Sequence, residues 1–272
     1  PWWVWALVAW AAVAVLGTRG VGVSSTLLAI AVVAELVVLG VVSIVDLTHP
    51  AGGQISFAAL NPSQLTPAQL GVALAIAITA FVGVEAAPVY SEESRHPRST
   101  VMVATYTALA LMAVPYVLGS WAMTVAVGPD QVVATATELG PDMLLVHAAA
   151  HLGGSTLIHL GHILLLTSIM AGLLSYHNAV TRAAFALGRD RVLPPMFGCT
   201  NPRTGAPIIA SLAQSACGLI VIGLYATTGW DPMTKLFFAL GTTGALGVLA
   251  LLTAVSVATV GFFSGSRRGE ST

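Results

Sequence analysis

The sequence predicts an all-α integral membrane protein, a helical bundle, on three observations: scarce charge, seven long apolar windows, and basic residues gathered in alternate loops. Of 272 residues, 56% are hydrophobic and 8% charged. Soluble domains carry roughly 25% charged residues, so this chain cannot clothe a water-facing surface. Crossing a hydrocarbon core of about 30 Å takes about 20 mostly apolar residues. Windows near 2–17, 26–45, 68–90, 101–127, 157–181, 206–228 and 236–263 qualify, the first short and the last long. Barrel strands need only about 10 alternating residues, and these runs are longer and do not alternate, so helices are the spanning element.

The net charge of −1 points to neither nucleic acid nor an acidic partner; the placement of the charges says more. The basic residues are Arg19; Arg95 and Arg98; Arg182, Arg189, Arg191 and Arg203; Lys235; Arg267 and Arg268. All but Lys235 fall in alternate loops, near 18–25, 91–100, 182–205 and from 264 onward. The positive-inside rule makes those loops cytoplasmic, which puts the N-terminus of the chain outside the plasma membrane and its C-terminus inside. Cys199 lies in one of those loops and Cys217 within a span, a poor setting for a disulfide. The chain opens on Pro1 and an apolar run without a basic flank, unlike a cleaved signal peptide, and reads as part of a longer protein.

Taken in order, the first two spans are followed by an irregular outer loop, 46–67, rich in Gly, Pro, Ser and Asn. The outer segment 128–156 differs: after Pro141, DMLLVHAAAHLGG has an N-cap candidate in Asp142, good helix formers and a terminal Gly pair, so a short helix lies there. On the inner side, TRAAFALGRDRVLPP at the start of 182–205 predicts a separate interfacial helix stopped by a Pro pair.

The third span carries the most chemistry, with Gly83, Glu85 and Pro88 close together. A carboxylate at a helix centre costs about 2.5–3.5 kcal/mol on insertion scales, so Glu85 must face protein or water. Gly83 and Pro88 weaken the helical ladder beside it. A helix interrupted within the membrane presents carbonyls on one half and N–H groups on the other, and such ends bind charged groups. The competing reading is plain packing, with Gly83 allowing close helix approach and Glu85 in a buried hydrogen-bonded pair.

Phe81, Gly83, Glu85, Glu92, Glu93, Pro97 and Arg98 resemble the F-x-G-x-E-x-x-x-x-x-x-E-E-x-x-x-P-R pattern of the sixth span in permeases of the amino acid/polyamine/organocation superfamily. Asn178, Arg182, Phe185, Ala186, Gly188, Arg189, Asp190 and Pro194 are similar to that family's run after the eighth span. The resemblance implies spans four to ten of a five-plus-five inverted-repeat transporter fold, with a discontinuous helix near Gly83. It divides the chain into 1–67, the last two spans of the first repeat with an outer loop; 68–263, the second five-helix repeat; and 264–272, a cytoplasmic tail. It implies a secondary transporter for an amino acid or small amine, working by alternating access with proton coupling or exchange. Thr79, Ala80, Phe81, Val82 and Gly83 would form the sixth-helix side of the substrate site, with backbone carbonyls for the α-amino group and a small Thr79 where some relatives have a gating aromatic. Glu85 would couple the site to protons or conformation.

Glu35, in the second span, stands where a number of relatives place an ionisable group, and a protonatable side chain there would substitute for a coupling ion; the plain alternative is a hydrogen bond to a neighbouring helix. Thr167 and Ser168 offer hydroxyl oxygens suited to a sodium-like ion, or simply a packing face. His147 and His151, spaced i,i+4, with His159 and His162 nearby, have acceptable zinc spacing, but lack a thiolate on that side and read as polar tips rather than a metal site. His177 reads as a helix–helix contact. The expected partners are therefore a small-molecule amino acid or amine, a proton or sodium ion, and the lipid bilayer, with no cofactor. A seven-helix receptor shares the span count, although a retinal protein would need a lysine inside its last span. A membrane enzyme is the weaker reading: the chain has no H-E-x-x-H, no G-x-S-x-G and no pair of aspartates facing each other in neighbouring spans.

Overall fold

The computed structural model describes residues 1–18, 25–84, 96–202 and 205–265. Among them the regular structure is helical: α1 (Trp2–Thr18), α2 (Ser25–Thr48), α3 (Pro67–Ala80), α4 (Pro97–Val127), α5 (Val132–Leu139), α6 (Met143–Leu152), α7 (Ser155–Arg189), α8 (Ile208–Thr228) and α9 (Gly241–Gly265). Among the described residues, five helical stretches are long and apolar enough to cross a membrane: Ala29–Thr48, Ser99–Val127, Ser155–Arg189, Ile208–Thr228 and Pro232–Ser264. The other two windows hold shorter apolar helices, Trp2–Thr18 and Pro67–Ala80. Large apolar side chains stand outward, as with Phe262 and Phe263, 69% and 70% exposed. A water-soluble protein does not present so much apolar surface, whereas lipid tails accommodate it.

The chain divides into two compact units, Pro1–Gln64 with Ala86–Gly223, and Leu65–Glu85 with Leu224–Thr272. In the first, α2 packs along α4, and α6 and α7 close against α2. Val42, Val45, Leu145 and Ala148 form its apolar centre, flanked by Val38, Leu144, Leu157 and Ile158. Gly161 lets α7 approach α6, since a Cβ there would collide with Leu145. A second close approach joins α1, α7 and α8. A Cβ on Gly17 would collide with the His177 ring. That ring's Nε2 lies 2.8 Å from Ser211 Oγ, and Trp10 Nε1 donates to the Ser215 carbonyl at 2.7 Å. His177 is thus a helix–helix contact.

In the second unit, α3 packs on α9. It starts at a capping box: the Gln69 N–H donates to Thr66 Oγ1 and the Thr66 N–H to Gln69 Oε1, with Pro67 at the first helical position. A π-helical stretch, Pro232–Leu240, capped by Asp231, leads into α9.

Three elements depart from the sequence reading. Asp46 is not loop; α2 continues to Thr48 and buries it. The helix over 143–152 comes out as read, but α5 precedes it, and Asp142 makes no side-chain cap. The inner stretch after 181 is no separate helix, because α7 runs unbroken to Arg189. Ala183, Ala184, Ala186 and Leu187 are strong helix formers, and no Pro intervenes before the chain turns. That turn is a Schellman motif: Val192 N–H donates to Leu187 O at 2.9 Å and Arg191 N–H to Gly188 O at 3.2 Å. Arg191 takes the left-handed position, φ 60°. The 3-10 turn Pro195–Gly198 then folds back onto Gly188, where a Cβ would strike the backbone of Phe197 and Gly198.

Candidate functional site

The third apolar window carries a helix only as far as Ala80. A turn follows through Phe81, Val82 and Gly83, with Gly83 at φ 113°, outside what an L side chain readily adopts. The hydrogen-bond interval tightens to i→i−3 as the helix ends, and the bonds lengthen. Phe81 N–H donates to Ile78 O at 3.1 Å, Val82 N–H to Thr79 O at 3.3 Å and Val84 N–H to Phe81 O at 3.4 Å. Thr79 is half-buried, and its hydroxyl donates to Ala75 O at 2.9 Å. The Thr79 carbonyl accepts from both the Phe81 and the Val82 N–H, so a cation binding at this end would compete with the turn for it. Beside the turn, Leu74, Ile78, Phe81 and Val82 face Val248 and Leu252 of α9 across an apolar cavity of about 270 Å³. Glu85, with Glu92 and Glu93, lies outside the described residues.

In the first unit, Ser168 Oγ donates to Glu35 Oε2 at 3.2 Å, joining α7 to α2. The pair sits on a cavity of about 310 Å³ walled by Val38, Leu39, Leu144, Leu145, Leu164 and Leu165. Thr167 does not join it: that side chain is exposed and its hydroxyl bonds back to Leu164 O at 2.9 Å. Adjacent helical residues point about 100° apart, and the two hydroxyls here make separate contacts. At the cavity's edge, His162 Nε2 lies 2.7 Å from Asp142 Oδ1. The structure therefore brings together Glu35 and Ser168 from the sequence reading, and adds Asp142 and His162.

The histidines on α6 have partners that the sequence reading missed. His147 Nδ1 lies 2.8 Å from Asp46 Oδ1, and the His151 ring stacks on His49. The available signal was spacing: Asp46 and His49 lie three apart at the end of one span, and a helix face repeats at that interval. His159 is exposed. Among the described residues, no group of three or more His, Cys, Asp or Glu is placed to hold a metal ion.

Comparison with known proteins accords with this architecture. The family described as amino acid permease matches residues 1–265. The chain is 28% identical over 166 residues to the human cationic amino acid transporter 4, an alignment covering 60% of this chain and 24% of that protein. It is 29% identical over 148 residues to an uncharacterized transporter of Mycobacterium bovis and to one of Mycobacterium tuberculosis, covering 54% of this chain and 32% of each. The matched region thus spans about a quarter of the human relative's length and about a third of the mycobacterial ones'. No solved structure matches the chain. Long apolar helices and a family match over residues 1–265 lead to one conclusion: this multi-pass membrane chain belongs to the amino acid permease family of the amino acid/polyamine/organocation superfamily.

Proposed function

We propose that the full-length protein is a secondary transporter that moves an amino acid or related small amine by alternating access, drawing on a proton gradient or on exchange. The observation that carries this reading is the end of α3 at Ala80 and the turn through Gly83, in a chain of the amino acid permease family. A helix that stops short offers the negative end of its dipole, which suits an ammonium group. Thr79 to Gly83 supply that end, and Glu85 follows directly. The human relative's name makes a basic amino acid the first substrate to try. Glu35 is the proton carrier in this reading, with Ser168 stabilising its charged form by hydrogen bonding. Plasma membrane residence and cytoplasmic basic loops belong to the same proposal.

The test is uptake of radiolabelled amino acids by the full-length protein in liposomes, with and without an imposed pH gradient. The expected result is gradient-driven accumulation or counterflow of at least one amino acid or amine. Failure of the whole panel under every gradient sinks the proposal. Glu35→Gln is expected to keep substrate binding while flattening the pH dependence of uptake; an unchanged pH profile removes Glu35 from coupling.

A further inference from the structure

A cluster of ionisable side chains joins α2 to α6. Asp46 and His49 lie at the end of α2, and His147 and His151 lie one turn apart on α6, so each pair shares a helix face. Asp46 is 2% exposed, and its Oδ1 is 2.8 Å from His147 Nδ1. His49 Nδ1 is 2.9 Å from Val45 O; a carbonyl can only accept, so the proton sits on Nδ1. The His151 ring lies on that of His49, with centroids 3.9 Å apart and planes at 19°. It stands 5.2 Å from the ring of His147.

The charge arithmetic of this group is lopsided. One carboxylate faces three imidazoles, and His147 already engages it. A proton on His147 strengthens the bond to Asp46. Protons on both His49 and His151 would set two like charges face to face, and the single carboxylate, bonded to His147, offsets them only in part. Both rings are exposed, so protons reach them from water. The elements packed against α2 and α6 offer little compensation. The part of α4 from Val117 to Val127 has no ionisable side chain, α5 adds Glu138, and α7 adds His159 and His162, the latter held by Asp142. The other ionisable groups of these elements are Glu35 on α2, Arg98, Tyr106 and Tyr116 on α4, and Tyr176, His177, Arg182 and Arg189 on α7.

We propose that Asp46, His49, His147 and His151 form a pH-sensitive latch that holds α6 on α2 while His49 and His151 are neutral, and releases it when both are protonated. The helix it holds is suited to release. α6 has only 10 residues, too few to be stable alone. It is bracketed by Gly140 and Gly154, both at φ 56°. The His151 imidazole is held below the ordinary histidine range, by lost hydration first and then by His49 and His147. A histidine with a depressed folded-state value favours the docked state above its ordinary range, and that contribution is lost as pH falls through the depressed value. The latch therefore opens on acidification.

Hydrogen–deuterium exchange of the full-length protein in lipid nanodiscs tests this, with amide rates corrected for the intrinsic effect of pH. Between pH 7.5 and 5.0, amides of Met143–Leu152 should lose protection by about tenfold or more, while those of α4 do not. His49→Gln with His151→Gln should keep α6 protected at both pH values, and Asp46→Asn should loosen it at both. Equal protection of wild-type α6 across the range overturns the latch. So does loss of protection that persists in the double Gln variant, or α6 protection that appears only when zinc is added.

Discussion

Gly17 and Gly83 show two ways in which the absence of a side chain matters. At Gly17 the constraint is space: a methyl group would enter the ring of His177, which Ser211 backs at 2.8 Å. Gly17→Ala is expected to cost about 1–3 kcal/mol, seen as a lower midpoint in heating followed by size-exclusion chromatography. If that contact is the cause, His177→Ala in the same chain should recover part of the loss, a coupling that a double-mutant cycle measures. At Gly83 the constraint is conformation. A side chain at φ 113° is strained whatever the surrounding space, so Gly83→Ala should cost on the order of 1–3 kcal/mol or shift the turn, measurable as a changed substrate Kd with expression intact. Residue chemistry was legible in the sequence, but pairing was not. Glu35 and Ser168 are 133 positions apart, and only packed helices bring them together. The choice of Ser168 over Thr167 is a matter of helical phase, which a sequence shows only once the buried face is known.

The elements differ in how openly they are written. Helix α6 could be read from its Pro, its helix formers and its closing Gly pair, because local signals fix both ends. The stop at Ala80 was signalled by Gly83, since a residue at positive φ cannot continue the ladder. The end of α7 misled because arginines suggested a surface segment, although helix formers continue to Gly188 and charge does not end a helix. The end of α2 misled for a similar reason: Asp46 looks like loop until α6 supplies His147. At the close of α7, Arg191 occupies a left-handed position that glycine fills at less cost. Arg191→Gly is therefore expected to raise stability by up to about 1 kcal/mol, seen as a higher thermal midpoint. Gly188→Val should do the opposite, displacing Pro195–Gly198 and exposing that turn to protease.

At the scale of the molecule, the span pattern was legible because bilayer thickness imposes a length on every crossing helix. Helix α3 ends at Ala80, so the described part of its window does not yield one long helix. Orientation can be tested with the chain's own cysteines, both of which are exposed and free. With Cys217 replaced by Ala, a membrane-impermeant maleimide should label Cys199 only after cells are opened; labelling of intact cells would invert the topology derived from the basic loops.

Helix α7 is 35 residues long, about 52 Å at 1.5 Å per residue, against a hydrocarbon core of about 30 Å. It therefore tilts or extends beyond the lipid, and it does so without a joint between Ser168 and Arg189. These two positions are about 32 Å apart along the axis. If the rod pivots near Ser168 by about 10°, simple trigonometry on that arm gives a sweep of about 6 Å at Arg189. A swing too small to break the hydroxyl's grip on Glu35 would carry the Pro195–Gly198 turn further than the width of a water molecule.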